Sequence, residues 1–289
     1  MRFTLSTDTS CDIFRDELKA RGIEYRPLVY TIDDVPNFDE LTHDKDFTEF
    51  YDKIRAGKMP TTSQINVTEH EEFFEALMQK YGGDVVHITL SSGLSSTYAS
   101  ACLAAETVNA KYSGKVYVVD SLGATIATRH VVDKAQQYRD EGLDAAETTE
   151  KLKEFTRHLH TWFMPTDLMH LKRGGRVSGP AAYIGTALKI KPILYINKVG
   201  GLSVVDKKIG VAKALAAMTA VFKRDVSDEP QKIYIASADS EYAEELRGKI
   251  KEARPDCDVE IGWIGPVIGA HTGCGAVGVS FLSDKERDI

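Results

Sequence analysis

Leu90-Ser-Ser-Gly-Leu-Ser-Ser-Thr97 is the stretch of this chain best suited to holding a small anion. It lies between a predicted strand and a predicted helix. The first N–H groups of a helix have no intrahelical partner, and the helix dipole adds positive potential there. The hydroxyls of Ser91, Ser92 and Ser95 add further donors. The segment lacks the GxxxxGK[ST] spacing of a nucleotide loop, so it suits a carboxylate better than a triphosphate. A serine cap followed by a turn would leave the same pattern, and this segment alone does not separate the two readings. A second hydroxyl cluster, Pro60-Thr-Thr-Ser-Gln64, follows a Gly57-Lys58 turn and reads as a polar loop. Ser6-Thr-Asp-Thr-Ser10 follows the opening strand, at the sheet end where open α/β sheets hold ligands. Asp8 and Asp12 read there as helix caps in preference to metal ligands or a general base.

Gly265-Pro-Val-Ile-Gly-Ala-His-Thr-Gly273 brackets His271 with glycines, which permit unusual backbone angles and close approach of a ligand. A histidine in such a turn either donates to an anion, exchanges a proton or is merely structural. Gly273-Cys-Gly-Ala-Val-Gly278 spells GxGxxG, but the chain that follows is too short for the rest of a dinucleotide unit, and Ala276–Leu282 reads as strand. His158 and His160 read as a surface pair at the end of a helix, and no metal site is expected. Lys172-Arg-Gly-Gly-Arg176 is a basic knot in an acidic chain: a solvated turn, or a seat for a ligand or partner phosphate.

Alternating elements must position these groups. The first half reads as strands over Phe3–Thr7, Tyr25–Ile32, Asp84–Leu90 and Val116–Val119. Helices between and after them carry Phe47, Phe50, Tyr51 and Ile54; Phe73, Phe74, Leu77 and Met78; and Ala127, Val131, Ala135 and Tyr138. A helix also runs over about Ser95–Val108. Such alternation predicts a mainly parallel sheet covered on both faces. A helix carrying Leu152, Phe155 and Leu159 leads into the second half. There a helix opens at Pro180 and ends at Pro192, and Ile193–Ile196 turns through Gly200-Gly201 into Leu202–Val205. Strands at Ile233–Ala236, Val259–Ile264 and Ala276–Leu282 alternate with two helices, which predicts an α+β layer with helices mainly on one side. The expected architecture is α/β: an N-terminal parallel-sheet domain over residues 1–155 and a C-terminal α+β domain over 156–289, with a ligand tunnel between them.

Bulk composition narrows the partners. The chain has 289 residues, 36 Lys+Arg against 43 Asp+Glu and a net charge of −7, which argues against a nucleic-acid binder. No segment approaches the ~18 apolar residues of a membrane span. The opening residues carry no apolar signal region. Cys11, Cys102, Cys257 and Cys274 form no CxxC pair and read as free thiols of a cytoplasmic protein.

Together these segments resemble the DegV family, which includes the fatty-acid-binding subunits of bacterial fatty acid kinase. The matches are Ser6-Thr-Asp8, Thr62-Ser-Gln64, Ser91-Ser-Gly-Leu-Ser95 with Thr97-Tyr98, Val119-Asp-Ser121, Leu171–Ser178, Lys191-Pro-Ile-Leu194, and Gly265–Gly269 with His271 and Gly273. They span nearly the whole chain. The resemblance implies a protein that holds one long-chain fatty acid between two domains and needs no cofactor. It implies that Thr62, Ser92 and His271 bind the carboxylate, with Ser91 and Ser95 as secondary candidates. Arg173 and Arg176 match a basic segment where a separate kinase subunit docks and phosphorylates the acyl group with ATP. The chain departs from the family pattern at Ile65-Asn66, at Ser96 and over Val205–Gly210.

The physics of a lipid site is compatible with these residues. Each buried CH2 contributes ~0.8 kcal/mol, so ~15 of them give an upper bound on the order of 12 kcal/mol. A buried carboxylate then needs hydrogen-bond donors, and hydroxyls, an imidazole and a helix start supply them. Two enzymatic alternatives compete. A hydrolase of acyl esters would use Ser92 or Ser95 with His271, but the chain has no GxSxG elbow. A small-molecule kinase would need a nucleotide motif, and none is present.

Overall fold

The computed structural model describes residues 2–42, 44–166, 168–177 and 190–288. In chain order the first half contains β1 (Thr4–Asp8), α1 (Arg15–Ala20), β2 (Ile23–Arg26), β3 (Val29–Ile32), β4 (Val35–Phe38) and α2 (Asp44–Arg55). It continues with β5 (Thr61–Ser63), α3 (Val67–Tyr81), β6 (Val85–Thr89), α4 (Thr97–Asn109), β7 (Val116–Asp120), α5 (Ile126–Asp140) and α6 (Ala145–Arg157). The second half contains β8 (Leu159–Met164), α7 (Met169–Arg173), β9 (Ile190–Ile196), β10 (Leu202–Ile209) and α8 (Val211–Asp225). It ends with β11 (Lys232–Ser237), α9 (Ala243–Ala253), β12 (Asp258–Trp263), α10 (Pro266–Thr272) and β13 (Val277–Leu282).

The first sheet has the order β2-β1-β6-β7, and all its pairings are parallel. β6 is buried at every residue, as a strand covered on both faces must be. One face packs Leu5, Val86 and Ile88 against Val131, Val132 and Ala135 of α5. The other packs Val85 and Val116 against Phe74 of α3 and Ala101, Ala104 and Val108 of α4. The second sheet has the order β10-β9-β8-β13-β11-β12 and is mixed, with only β11 and β12 parallel. Side chains alternate across its strands. Trp162 and Met164 of β8 face the core formed with Leu215, Met218 and Phe222 of α8 and Leu246 and Ile250 of α9. A third sheet of three strands, β4-β3-β5, is antiparallel.

Several local expectations change. The strand expected over Tyr25–Ile32 is two strands in two sheets, because the chain breaks at Pro27-Leu28. The loop expected around Thr62 is strand β5, in which Thr62 pairs with Tyr30. The turn expected around His271 is the short helix α10, opened by Pro266 at its first position. Leu159 and His160 belong to β8, not to the preceding helix. His160 is therefore buried, its Nε2 3.0 Å from the Lys285 carbonyl, and forms no surface pair with His158. The helix expected from Pro180 lies outside the described residues.

Two expectations hold in detail. Asp8 caps the short 3-10 turn Thr9–Cys11, accepting from Ser10 N at 2.9 Å. Its other oxygen accepts from Leu90 N at 2.7 Å, so one buried carboxylate ties the ends of β1 and β6 together. The four cysteines are free. Among the described residues, no helix is long and apolar enough to cross a membrane.

Candidate functional site

A cavity of about 220 Å³ lies beyond the carboxyl ends of β6 and β7. This is the sheet end at which parallel α/β layers present loops to ligands. Leu90, Leu94, Ser95 and Ser96 line it from the β6–α4 connection, and Ala124, Thr125 and Ile126 from the β7–α5 connection. The opposite wall is the second sheet, through Thr161 and Phe163 of β8, Ile196 of β9, Ala236 of β11 and Gly278 of β13. These are the side chains that alternate away from the α8–α9 core. Gly278 is required there, since a Cβ would lie 2.9 Å from the Phe163 Cβ. Leu28, Ile264, Val267 and Ile268 extend the apolar lining.

Thr62 and His271 meet at one end of this cavity, although 209 residues separate them in sequence. Thr62 Oγ1 and His271 Nε2 lie 2.9 Å apart and share a hydrogen bond. Burial, reinforced by the neighbouring charge of Arg176 and by His170, holds the His271 pKa down at about 4. The ring is therefore neutral at pH 7 and carries one N–H. Its Nδ1 is buried without a hydrogen-bond partner. Gly174 explains that closeness: a Cβ built on it would fall 2.1 Å from Nδ1. Gly174 of the basic knot is thus a seat for the imidazole.

The same pair borders a second space of about 220 Å³ that is richer in basic side chains than the first. Thr62, Arg176 and His271 line both spaces, and Arg173, His170, Gly174 and Met59 line only the outer one. Arg176 Nε donates to the Leu94 carbonyl at 3.0 Å, which links the basic knot to the serine loop. Arg173 is exposed, at the end of α7.

The serines divide differently from the expectation. Ser91 is buried, and its hydroxyl donates to the Gly200 carbonyl at 2.8 Å and accepts from Gly93 N at 3.1 Å. Ser92 is exposed, donates its N–H to Asp120 Oδ1 at 3.1 Å, and does not line the cavity. The reason is a tight turn in which Leu94 N and Ser95 N both donate to Ser91 O. That turn carries Ser92 outward and brings Ser95 and Ser96 to the cavity. Ser95 also accepts from Thr97 N at 3.2 Å, so it is the serine that caps α4. Gln64, Ser96 and Thr125 also line the cavity, although the sequence did not single them out as ligand-binding residues. Among the described residues His271 Nδ1 has no hydrogen-bond partner, so it lacks there the acidic group that orients the histidine of a Ser-His-Asp triad.

The sequence model of the DegV family, described as an uncharacterised protein family, matches residues 2–284. The chain belongs to the DegV family. It is 37% identical over 289 residues to a DegV domain-containing protein of Clostridium perfringens, covering 99% of each chain. Its fold matches a DegV lipid-binding protein from Thermotoga maritima with a TM-score of 0.84 at 28% identity, covering all of both chains. It also matches DegV from Bacillus subtilis, described as a fatty acid binding protein, with a TM-score of 0.86 at 28% identity, covering 98% of this chain and 100% of that one. The fold with one parallel and one mixed sheet is therefore shared with these DegV structures.

Proposed function

We propose that this DegV protein holds one long-chain fatty acid, with the acyl chain in the apolar cavity and the carboxylate at Thr62 and His271. The observation that carries this reading is their position, at the boundary between an apolar cavity and an adjoining space lined by Arg173, His170 and Arg176. A carboxylate has two acceptor oxygens; with the proton on Nε2 the His271 ring donates to Thr62 Oγ1 in the lipid-free protein, and the Thr62 hydroxyl and that N–H can both turn to an anion that enters between them. Ser95 replaces Ser92 as the serine of the site, because it lines the cavity. Arg176 adds positive potential without being a dedicated counter-ion, since its Nε is engaged by the Leu94 carbonyl. The segments 1–155 and 156–289 act as the two walls. The chain performs no chemistry itself: it offers the carboxylate through the outer space, where Arg173 is exposed, to a separate ATP-dependent fatty acid kinase. The DegV relatives of known structure described as a lipid-binding protein and as a fatty acid binding protein support the ligand class.

Thr62→Ala and His271→Ala test the placement of the head group. Each variant is loaded with palmitate or oleate, passed through gel filtration, extracted and quantified. Each should retain on the order of tenfold less lipid, the loss expected when a buried charge gives up one donor. Thermal unfolding of the lipid-free variants should stay near that of the parent. Unchanged retention in both variants would place the carboxylate elsewhere.

A further inference from the structure

We infer that Arg287 is a positioning residue for the lipid cavity, fastening both of its walls from the segment that follows β13. This rests on the reading of the cavity as a lipid site. Arg287 is 6% exposed, an unusual burial for an arginine that forms no ion pair among the described residues, Asp120 being the nearby carboxylate that favours its charge. Its two terminal nitrogens donate to main-chain oxygens from three separate segments, while Nε is buried without a hydrogen-bond partner among the described residues. NH1 donates to the Leu122 carbonyl at 2.8 Å and, more weakly, toward the Asn197 carbonyl at 3.4 Å. NH2 donates to the Thr156 carbonyl. Its backbone N–H donates to Arg157 O at 2.9 Å, which anchors the residue beside the end of α6.

Two of those segments shape the cavity. Leu122 belongs to the β7–α5 connection, whose next residues, Ala124, Thr125 and Ile126, line the cavity. That connection is strained: Leu122 and Thr125 have φ of 47° and 54°, in the left-handed region that non-glycine residues avoid. Something must hold it, and Arg287 supplies a charged donor at its tip. Asn197 opens the β9–β10 hairpin, between Ile196 and Leu202, which line the opposite wall. The hairpin itself touches the serine loop, since Gly200 packs against Leu122 and receives the Ser91 hydroxyl. Arg287 is therefore a single cation bridging both walls. Burial pulls its pKa down to about 10, which still leaves it charged at neutral pH. A planar fork reaching several carbonyls is a task for arginine and not for lysine.

Arg139 provides a matched control. It is also buried, at 8% exposed, and donates to the Arg21 and Gly22 carbonyls at 2.9 and 3.1 Å, but it lines no part of the cavity. Removing it should weaken the fold without touching the lipid site.

The test is the release rate of bound palmitate to excess albumin, measured on Arg287→Met, Arg287→Lys and Arg139→Met of the full chain, well below each unfolding temperature. Arg287→Met should release lipid about tenfold faster than the parent, the usual place for such an effect being the off-rate. Arg287→Lys keeps the charge but fewer contacts, and should lie between the two; it also serves if Arg287→Met does not fold. Arg139→Met should lower the unfolding temperature and leave release unchanged. Equal release from parent, both Arg287 variants and Arg139→Met would overturn the inference and leave the lipid reading standing. Failure of the parent itself to hold palmitate would instead overturn the lipid reading.

Discussion

A neutral imidazole buried at the edge of an apolar cavity is the central feature at the scale of single residues. In lipid-free protein the His271 ring should titrate near 4, because burial and the charge of Arg176 both oppose its protonation. Binding a carboxylate places a negative charge beside it, which favours the protonated ring, so its midpoint should rise when fatty acid is added. Histidine ring-proton shifts followed by NMR from pH 8 to 3.5 would show this; a midpoint that ignores lipid would contradict the head-group placement. Gly174 makes a second residue-scale prediction. Gly174→Ala drives a methyl into His271 Nδ1 while keeping an ordinary helical φ of −69°. Lipid retention should fall at least about tenfold, the equivalent of one displaced hydrogen bond, with little change in thermal unfolding. Thr62 and His271 were legible in sequence only through the family resemblance, since no local spacing relates residues 209 apart. Ser92 does not line the cavity, and a serine-rich run does not reveal which hydroxyl faces inward. The turn closed on Ser91 O decides that.

Elements explain where the chain departs from its relatives' pattern. Ile65-Asn66 interrupts the expected continuation of the Thr62-Ser-Gln64 segment, yet it has a clear local role. Asn66 accepts from Glu69 N at 3.0 Å while the Glu69 side chain accepts from Asn66 N at 2.8 Å, a capping box that opens α3. Ile65 is buried with Leu28 and Val267, and so joins β5 to the cavity wall. Asn66→Ala should cost about 1 kcal/mol of stability by denaturant unfolding and leave lipid retention intact. A loss of lipid with unchanged stability would assign Asn66 to the site instead. Most helices were legible because one face is apolar at a 3.6-residue period, as in α2, whose Phe47, Phe50, Tyr51 and Ile54 are all buried. Strand β8 was not. All six of its residues are buried, with helices against one face and the cavity against the other, so no alternation marks it. The short strand β5 was missed for the opposite reason: it is a largely exposed edge of hydroxyl residues, indistinguishable from a polar loop.

Across the whole molecule, two sheets of different kinds meet through apolar packing and a few polar ties and enclose an apolar space. Arg129 of α5 is one tie, reaching Glu17 at 3.2 Å on the first layer and Glu260 of β12 at 3.0 Å on the second. Arg287 is another. The −7 net charge keeps the exterior strongly hydrated, so the acyl chain's apolar surroundings come only from the walls. The order of strands and helices, and hence the layered fold, could be read from the alternation of periods. The cavity could not, because its lining comes from residues as far apart as Leu28 and Gly278, and bulk composition carries no trace of it. Native mass spectrometry of the protein purified without added lipid addresses the central claim most directly. The account predicts a population carrying a single adduct of fatty-acid mass, lost on denaturation and recovered by extraction as a long-chain acid. A protein that carries no such adduct, and gains no thermal stability from palmitate or oleate, would contradict it.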